Sequence, residues 1–474
     1  MIPAQTRPLR GVPAASPPKP PTAQAASVTR PAFYLTLVFV FVVYARVPEI
    51  MDIALGAALH SARFIMGLTL LAILLFGGNL RAILSKIGLC MISFTAWLCI
   101  CTPFSVWKGG SARMLKDYWL LALFSFIIIA ASVQGLEQCR KLMYALGAAT
   151  IAIEAFTVIL GRLREGRMSL LGGTLGNANY LAMMLLMGVP FCLFVVRTRP
   201  GMSVLKFFCL LMLFCVPVTV AATGSRGGLV TLLFMFLLYF IPLPASQKVV
   251  TAVAALILAV IAIAWSTRSA LDRYRTFFTN SGQVRLTESE QSALESMGLR
   301  RELLLSSLQL TMRHPLFGVG PGMFAVANAN FVEEITGRSN WNAWHETHNT
   351  FTQVSCEDGL PGLFLYCLML LFCFKAVYSA GRLAKRDPSQ AIVGHMAFAL
   401  RLALIAFAGT STFASNAYAY YFPMLAALCV ALERSCAELP LPQPPAGAPS
   451  AAGTPVAATI SRPVRRATAG RMPY

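Results

Sequence analysis

Charge is what this sequence has least of. Only 12% of its 474 residues are Asp, Glu, Lys or Arg, against roughly 25% in ordinary soluble domains. Set beside 57% hydrophobic residues, that scarcity excludes a chain of soluble domains and implies a polytopic membrane protein. Acids are scarcer than bases, 19 against 39. No DxD or loop-borne carboxylate pair offers to hold a divalent ion, and no Walker or GxGxxG segment opens a helix after a strand. Metal-dependent use of a nucleotide donor is therefore not expected, and neither a metal site nor a cofactor is expected. The twelve cysteines form no CxxC pair and no extracellular framework; nearly all, such as Cys90, Cys192 and Cys373, sit in apolar runs as small buried hydrophobes. The formal charge of +20 would suggest nucleic acid in a soluble chain. Here Lys and Arg lie mainly between apolar runs, where they set topology and meet anionic lipid or phosphate, so no nucleic-acid partner is expected.

What is present in quantity is apolar sequence. Runs recur at about 32–48, 64–78, 87–106, 117–135, 142–160, 176–197, 204–222, 226–244, 248–266, 359–381, 393–414 and 417–435. Most approach the ~20 residues a helix needs to cross the hydrocarbon core. The fold class expected is all-α, a polytopic membrane protein of about twelve transmembrane helices with one large outer loop. No small-residue cleavage site follows the first run, which implies a retained signal anchor. Residues 1–31 and 437–474 are basic and rich in Pro and Ala, so both read as disordered tails. Between them the chain divides into helices one to nine (32–266), an outer loop with catalytic elements (267–350) and helices ten to twelve (351–436). The excess of Lys and Arg in alternate short loops puts both tails in the cytoplasm and the long loop outside. Glu154 and Arg401 fall inside apolar runs. Facing lipid, each would cost roughly 2.5–3.5 kcal/mol, so both are expected to point into the bundle.

The residues that could carry chemistry gather in the outward segments. Arg162, Arg164 and Arg167 precede Gly172-Gly173-Thr174-Leu175-Gly176-Asn177-Ala178-Asn179-Tyr180, where the glycines would break the chain just before a helix. The first turn of such a helix offers free N–H groups to an anion. Arg226 stands in Thr223-Gly224-Ser225-Arg226-Gly227-Gly228 at the start of another helix, and Arg300-Arg301 open a helical stretch running to His314-Pro315. Guanidinium forks hold phosphate oxygens bidentately and suit a lipid diphosphate better than Lys. Any one of these arginines can equally be an interfacial anchor, the reading favoured for Arg162, Arg164 and Arg301. Two of the five histidines, His345 and His348, lie in Trp344-His345-Glu346-Thr347-His348-Asn349, where the long polar loop re-enters apolar sequence. A titratable imidazole there can act as a base or serve as a polar interfacial cap, and both readings stand. Asn349 could fix the ring tautomer of His348 or contact a sugar.

Taken in order, TGSRGG at 223–228, the Arg-led helix ending in HPLFGVGPGMF at 314–324, HETHNTF at 345–351 and EDGLPGL at 357–363 resemble the O-antigen ligase and polymerase superfamily. GTLGNANYLA at 173–182 is similar to that family's segment before a central helix. The likeness covers roughly 160–370 and the helix number. It implies transfer of a glycan from a polyprenyl-diphosphate carrier to a lipid or glycan acceptor at the outer face of the inner membrane, without metal or nucleotide. Carried over by motif position, Arg226 and Arg300 would hold the diphosphate, His348 would be the catalytic base or its positioner, and Arg167 would assist at the donor. Arg301, His345 and Asn349 would complete the substrate contacts. Leu304 stands where the family often has an aromatic residue, and the adjacency of Arg300 and Arg301 leaves their register open by one. The rival from another class is a transporter of similar helix number, which would want polar residues and broken helices at the membrane midplane.

Overall fold

A run of apolar residues in a medium without water must satisfy every backbone N–H and C=O internally, and the helix is the local solution. The computed structural model describes residues 30–56, 60–170, 174–276, 288–338 and 341–439. In it each expected apolar run lies on a helix. These are α1 (Arg30–Tyr44), the short α2 (Val47–Leu55), α3 (Ser61–Phe76), α4 (Lys86–Cys101), α5 (Lys108–Ser132), α6 (Leu136–Leu160), α7 (Ala178–Thr198), α8 (Val204–Ala222), α9 (Arg226–Phe240) and α10 (Ala245–Trp265). After the polar segment come α14 (Thr350–Arg386), α15 (Ala391–Ser411) and α16 (Tyr421–Ala437). The chain is an all-α polytopic membrane protein: among the described residues, 8 helices are long and apolar enough to cross a membrane. They are α4 to α8, α10, α14 and α15, with α1, α3 and α9 as shorter apolar helices. The terminal tails fall almost wholly outside the described residues, and so does the second unit of the chain, Leu439–Tyr474.

Polar residues set where these helices start. Ser85, Ser203, Ser225 and Thr267 each accept a first-turn backbone N–H with the side chain, as an N-cap should. Two features depart from the expected pattern. The segment before α7 is a small antiparallel hairpin, β1 (Arg162–Arg164) and β2 (Arg167–Ser169), in which Arg164 pairs with Arg167. Arg401 is exposed on α15, its guanidinium 5.4 Å from the Phe398 ring, instead of pointing inward; a long stem lets the charge lie along an outer face. Glu154 does point inward, fully buried, and accepts a hydrogen bond from Thr219 on α8.

The polar segment 267–350 is itself largely helical, with α11 (Arg268–Arg275), α12 (Glu288–Arg313) and α13 (Phe324–Thr336). It is clamped to the bundle by the two glycine-rich motifs. At Gly359 the backbone of α14 turns to φ 72, a left-handed value that favours Gly. The break releases the carbonyls of Cys356 and Glu357, which accept from Val319 N at 2.8 Å and Gly320 N at 2.9 Å, while Leu360 N donates to Pro315 O at 2.8 Å. Gly318 makes the approach possible, since a Cβ there would lie 2.3 Å from the Glu357 backbone. The Glu357 carboxylate accepts from Gly322 N at 3.1 Å and Phe324 N at 2.9 Å, so it holds the start of α13. Tyr418 donates to Glu357 at 2.7 Å and lies 3.0 Å from Asp358. Behind the clamp, Leu303, Leu310, Val319, Phe324, Phe331 and Cys356 pack into a small core.

Candidate active site

One end of the bundle collects the ends of α6, α8 and α10 and the starts of α7, α9 and α14. Thr267 Oγ1 donates to Gly166 O and Arg167 Nε to Thr223 O (2.8 Å), tying the hairpin to the loops after α8 and α10. These contacts bring together guanidinium groups far apart in sequence. Arg167 comes from β2, Arg226 from the first turn of α9, Arg273 from α11 and Arg300 from α12. Burial, then Arg273 and Arg300, push the Arg167 guanidinium down to about 10. Burial, then Arg226 and Arg273, do the same to Arg300, also to about 10. All remain cations at neutral pH, held against their mutual repulsion.

Local chemistry explains the convergence. Gly224 has φ 59 and passes close to Arg273, whose Cδ would lie 3.3 Å from an added Cβ, so the left-handed turn seats that side chain. A Cβ at Gly227 would lie 2.6 Å from the Phe413 ring, which lets the start of α9 press against the loop after α15. Arg226 Nη1 donates to Thr276 Oγ1 at 3.0 Å, joining α9 to the end of α11. Arg167 Nη2 donates to Asn179 Oδ1 at 3.1 Å on α7. Arg273 is buried, its Nε has no hydrogen-bond partner, and no carboxylate among the described residues forms an ion pair with it.

His348 faces this cluster. Its φ is 53, a strained left-handed value for a side chain with a Cβ. The turn is fixed by Ser415, whose Oγ accepts from His348 N at 2.9 Å and lies 3.0 Å from Thr347 Oγ1. Burial first, then the Arg300 guanidinium and His345, push the imidazole down to about 4, so the ring is neutral at neutral pH. Asn349 spends its Oδ1 as the N-cap of α14, accepting from Phe351 N at 2.9 Å and Thr352 N at 3.1 Å. It thus fixes the backbone that carries His348. His345 is exposed.

On the other side of the 346–348 turn lies a cavity of about 650 Å³, bordered by Glu346 and Thr347 but by none of the four arginines. A π-turn at Leu115–Trp119 within α5 brings Asp117 and Tyr118 to its wall. Arg46, in the left-handed residue after α1, borders this cavity and a neighbouring one of about 780 Å³.

Of the residues singled out in the sequence, Arg167, Arg226, Arg300 and His348 come together. Arg301 is exposed whereas Arg300 is half-buried beside the other guanidinium groups, and Arg162 and Arg164 are exposed on the hairpin. Gly172 and Gly173 lie outside the described residues. Arg273 was missed. Its signal was the basic run Arg268, Arg273, Arg275 directly after an apolar helix, too ordinary to separate from interfacial anchors.

Four cations, Arg273 buried and the other three half-buried, thus lie beside a neutral histidine at one end of an all-α membrane bundle, an arrangement with the chemistry to hold an anion. Residues 207–367 match the family model described as O-Antigen ligase, from within α8 to the middle of α14. That stretch is similar to the O-antigen ligase family, as the ordered motifs led one to expect. No curated protein matches the chain.

Proposed function

We propose that this protein transfers a glycan from a polyprenyl-diphosphate carrier to a lipid A-core or other surface-glycan acceptor, without metal, at the periplasmic face of the inner membrane. In this reading about twelve helices span the bilayer, both tails are cytoplasmic, and the 267–350 segment faces out, in keeping with the distribution of Lys and Arg. The observation that carries the proposal is the meeting of Arg167, Arg226, Arg273 and Arg300 beside His348.

The chemistry follows from those groups. The acceptor hydroxyl oxygen forms a bond to the anomeric carbon of the donor sugar. The bond from that carbon to the diphosphate oxygen breaks, its electron pair leaving on the diphosphate, while the hydroxyl proton passes to the His348 ring. Fixed guanidinium groups in a water-poor site stabilise the charge where it grows. A sugar hydroxyl is a poor nucleophile, and a positioned base contributes about 10²–10⁴-fold. Burial first, and then Arg300, make His348 a weak base, and a bound diphosphate offsets the Arg300 charge. The ring is therefore most basic when the donor is in place. His345, Arg301 and Asn349 are assigned to the rim and scaffold of the same site.

Purified protein reconstituted with a labelled polyprenyl-diphosphate glycan and, in turn, lipid A-core, a second lipid-linked repeat or a peptide tests the assignment. Movement of label to lipid A-core with release of polyprenyl diphosphate is expected. Label on the second repeat would make it a polymerase. No consumption of donor with any acceptor would refute glycan transfer.

A further inference from the structure

The geometry points to the 650 Å³ cavity as the acceptor's seat, and to an uncharged or amino sugar, not an anionic one, as its occupant. Its size lies within the ~300–1,000 Å³ typical of small-molecule sites. Tyr118 and Tyr180 present accessible rings to it, together with the amides of Asn177 and Gln353, while Tyr418, Tyr420 and Tyr421 are almost fully buried in its wall. Tyrosine faces pack on sugar rings, and amides and hydroxyls match a polyol's mixed donors and acceptors.

Charge on the wall then decides which sugar. Of the charged side chains there, Arg46 is matched by Glu49 at 3.0 Å, and Asp117 by Arg63 at 2.8 Å. That leaves Glu346, which takes Tyr180 OH at 3.0 Å and has His345 beside it, as the carboxylate open to a ligand, with Glu357 buried behind it and already accepting from Gly322 N, Phe324 N and Tyr418 OH. Carboxylates accept hydrogen bonds from hydroxyls and ammonium groups and repel phosphate and carboxylate substituents. The arginine cluster across the turn has the opposite preference. The two substrates are thus sorted by charge: the diphosphate is drawn to the arginines and kept out of the cavity, while an uncharged sugar enters beside Thr347 and Ser415. Those two hydroxyls meet at 3.0 Å, and Ser415 also accepts from the His348 backbone N–H, so one short turn carries both the cavity's edge and the base.

The occupant is the acceptor only if the glycan-transfer reading holds; the sugar preference is measured separately. The full chain in nanodiscs is titrated, by saturation-transfer NMR, with neutral methyl hexosides, glucosamine, glucose 6-phosphate and glucuronic acid, each to about 50 mM, with and without inorganic pyrophosphate. Neutral and amino sugars are expected to bind saturably, and the two anionic sugars about tenfold or more weaker, as like charges across a site require. Glu346→Gln, on the loop and isosteric, should narrow that gap severalfold. Pyrophosphate should bind without displacing the neutral sugar. Anionic sugars binding as tightly as neutral ones, absence of saturable neutral binding, or competition by pyrophosphate each overturn the proposal. If pyrophosphate fails to bind while the sugar preference and its response to Glu346→Gln appear, the diphosphate reading falls and the cavity assignment is supported.

Discussion

Replacing Arg273 by Gln distinguishes a substrate-holding arginine from a structural one, because the two roles change stability with opposite sign. Arg300 titrates near 10 instead of 12.5, which at about 1.36 kcal/mol for each pH unit is about 3 kcal/mol against its charged form. Burial is the largest part of that, followed by Arg226 and Arg273. Arg273 also bears on Arg167 and Arg226. Removing it relieves roughly 1 kcal/mol of that repulsion, before the lost attraction of Glu165 and the loss of its packed stem are subtracted. Arg273→Gln should therefore leave stability unchanged or up to about 1 kcal/mol higher, while transfer falls by about 10²–10³-fold, as for one lost donor to a developing anion. Denaturant unfolding in detergent gives the first quantity, and the initial rate of transfer from labelled lipid-linked glycan gives the second. A variant that loses more than about 2 kcal/mol would mark Arg273 as a strut. One that transfers at the parental rate would remove it from the site.

Three further outcomes are expected. His348→Ala should keep donor binding and lose transfer by about 10²-fold or more, whereas His345→Ala should cost roughly tenfold or less. Because the folded His348 titrates near 4, its ring stays neutral as pH falls through the ordinary 6.5 and charges only below; the acid limb of kcat/KM should lie below pH 5, about where the free enzyme's base titrates. A limb centred near 6.5 would contradict the burial and the Arg300 contact. Tyr418→Phe removes the hydroxyl shared by Glu357 and Asp358, which should cost about 2–4 kcal/mol of stability. A loss under about 0.5 kcal/mol would show that neither carboxylate depends on it.

The helices were legible because burying a backbone in lipid leaves one solution, and apolar runs report it directly. Site residues were legible only through ordered motifs: Arg226 and His348 sit in short strings whose glycines and caps do local work, such as Ser225 capping α9 and Asn349 capping α14. What could not be read was long-range. Arg273 earns its place through Gly224 and Arg300, and Arg401 looked inward because hydropathy counts a charge without asking which side of the helix it occupies. The hairpin at 162–169 and the cavity wall from α5, with its π-turn, likewise depend on neighbours that come together only in the fold.

The clamp between the 315–324 loop and the break at Gly359 sets an order of manufacture. The arm that carries Arg273 and Arg300 is synthesised before the carbonyls of Cys356 and Glu357 that dock it, and before Tyr418. At about 5–20 residues per second, some seconds of translation separate the loop from its last anchor. During that interval the arginines lie outside any finished membrane bundle. A ribosome stalled before α14 leaves the arm without these docking carbonyls, and one stalled before Tyr418 leaves Glu357 and Asp358 without their shared hydroxyl. Docking of the arm that carries Arg273 and Arg300 is thereby tied to arrival of α14, and the shared hydroxyl of Tyr418 comes last.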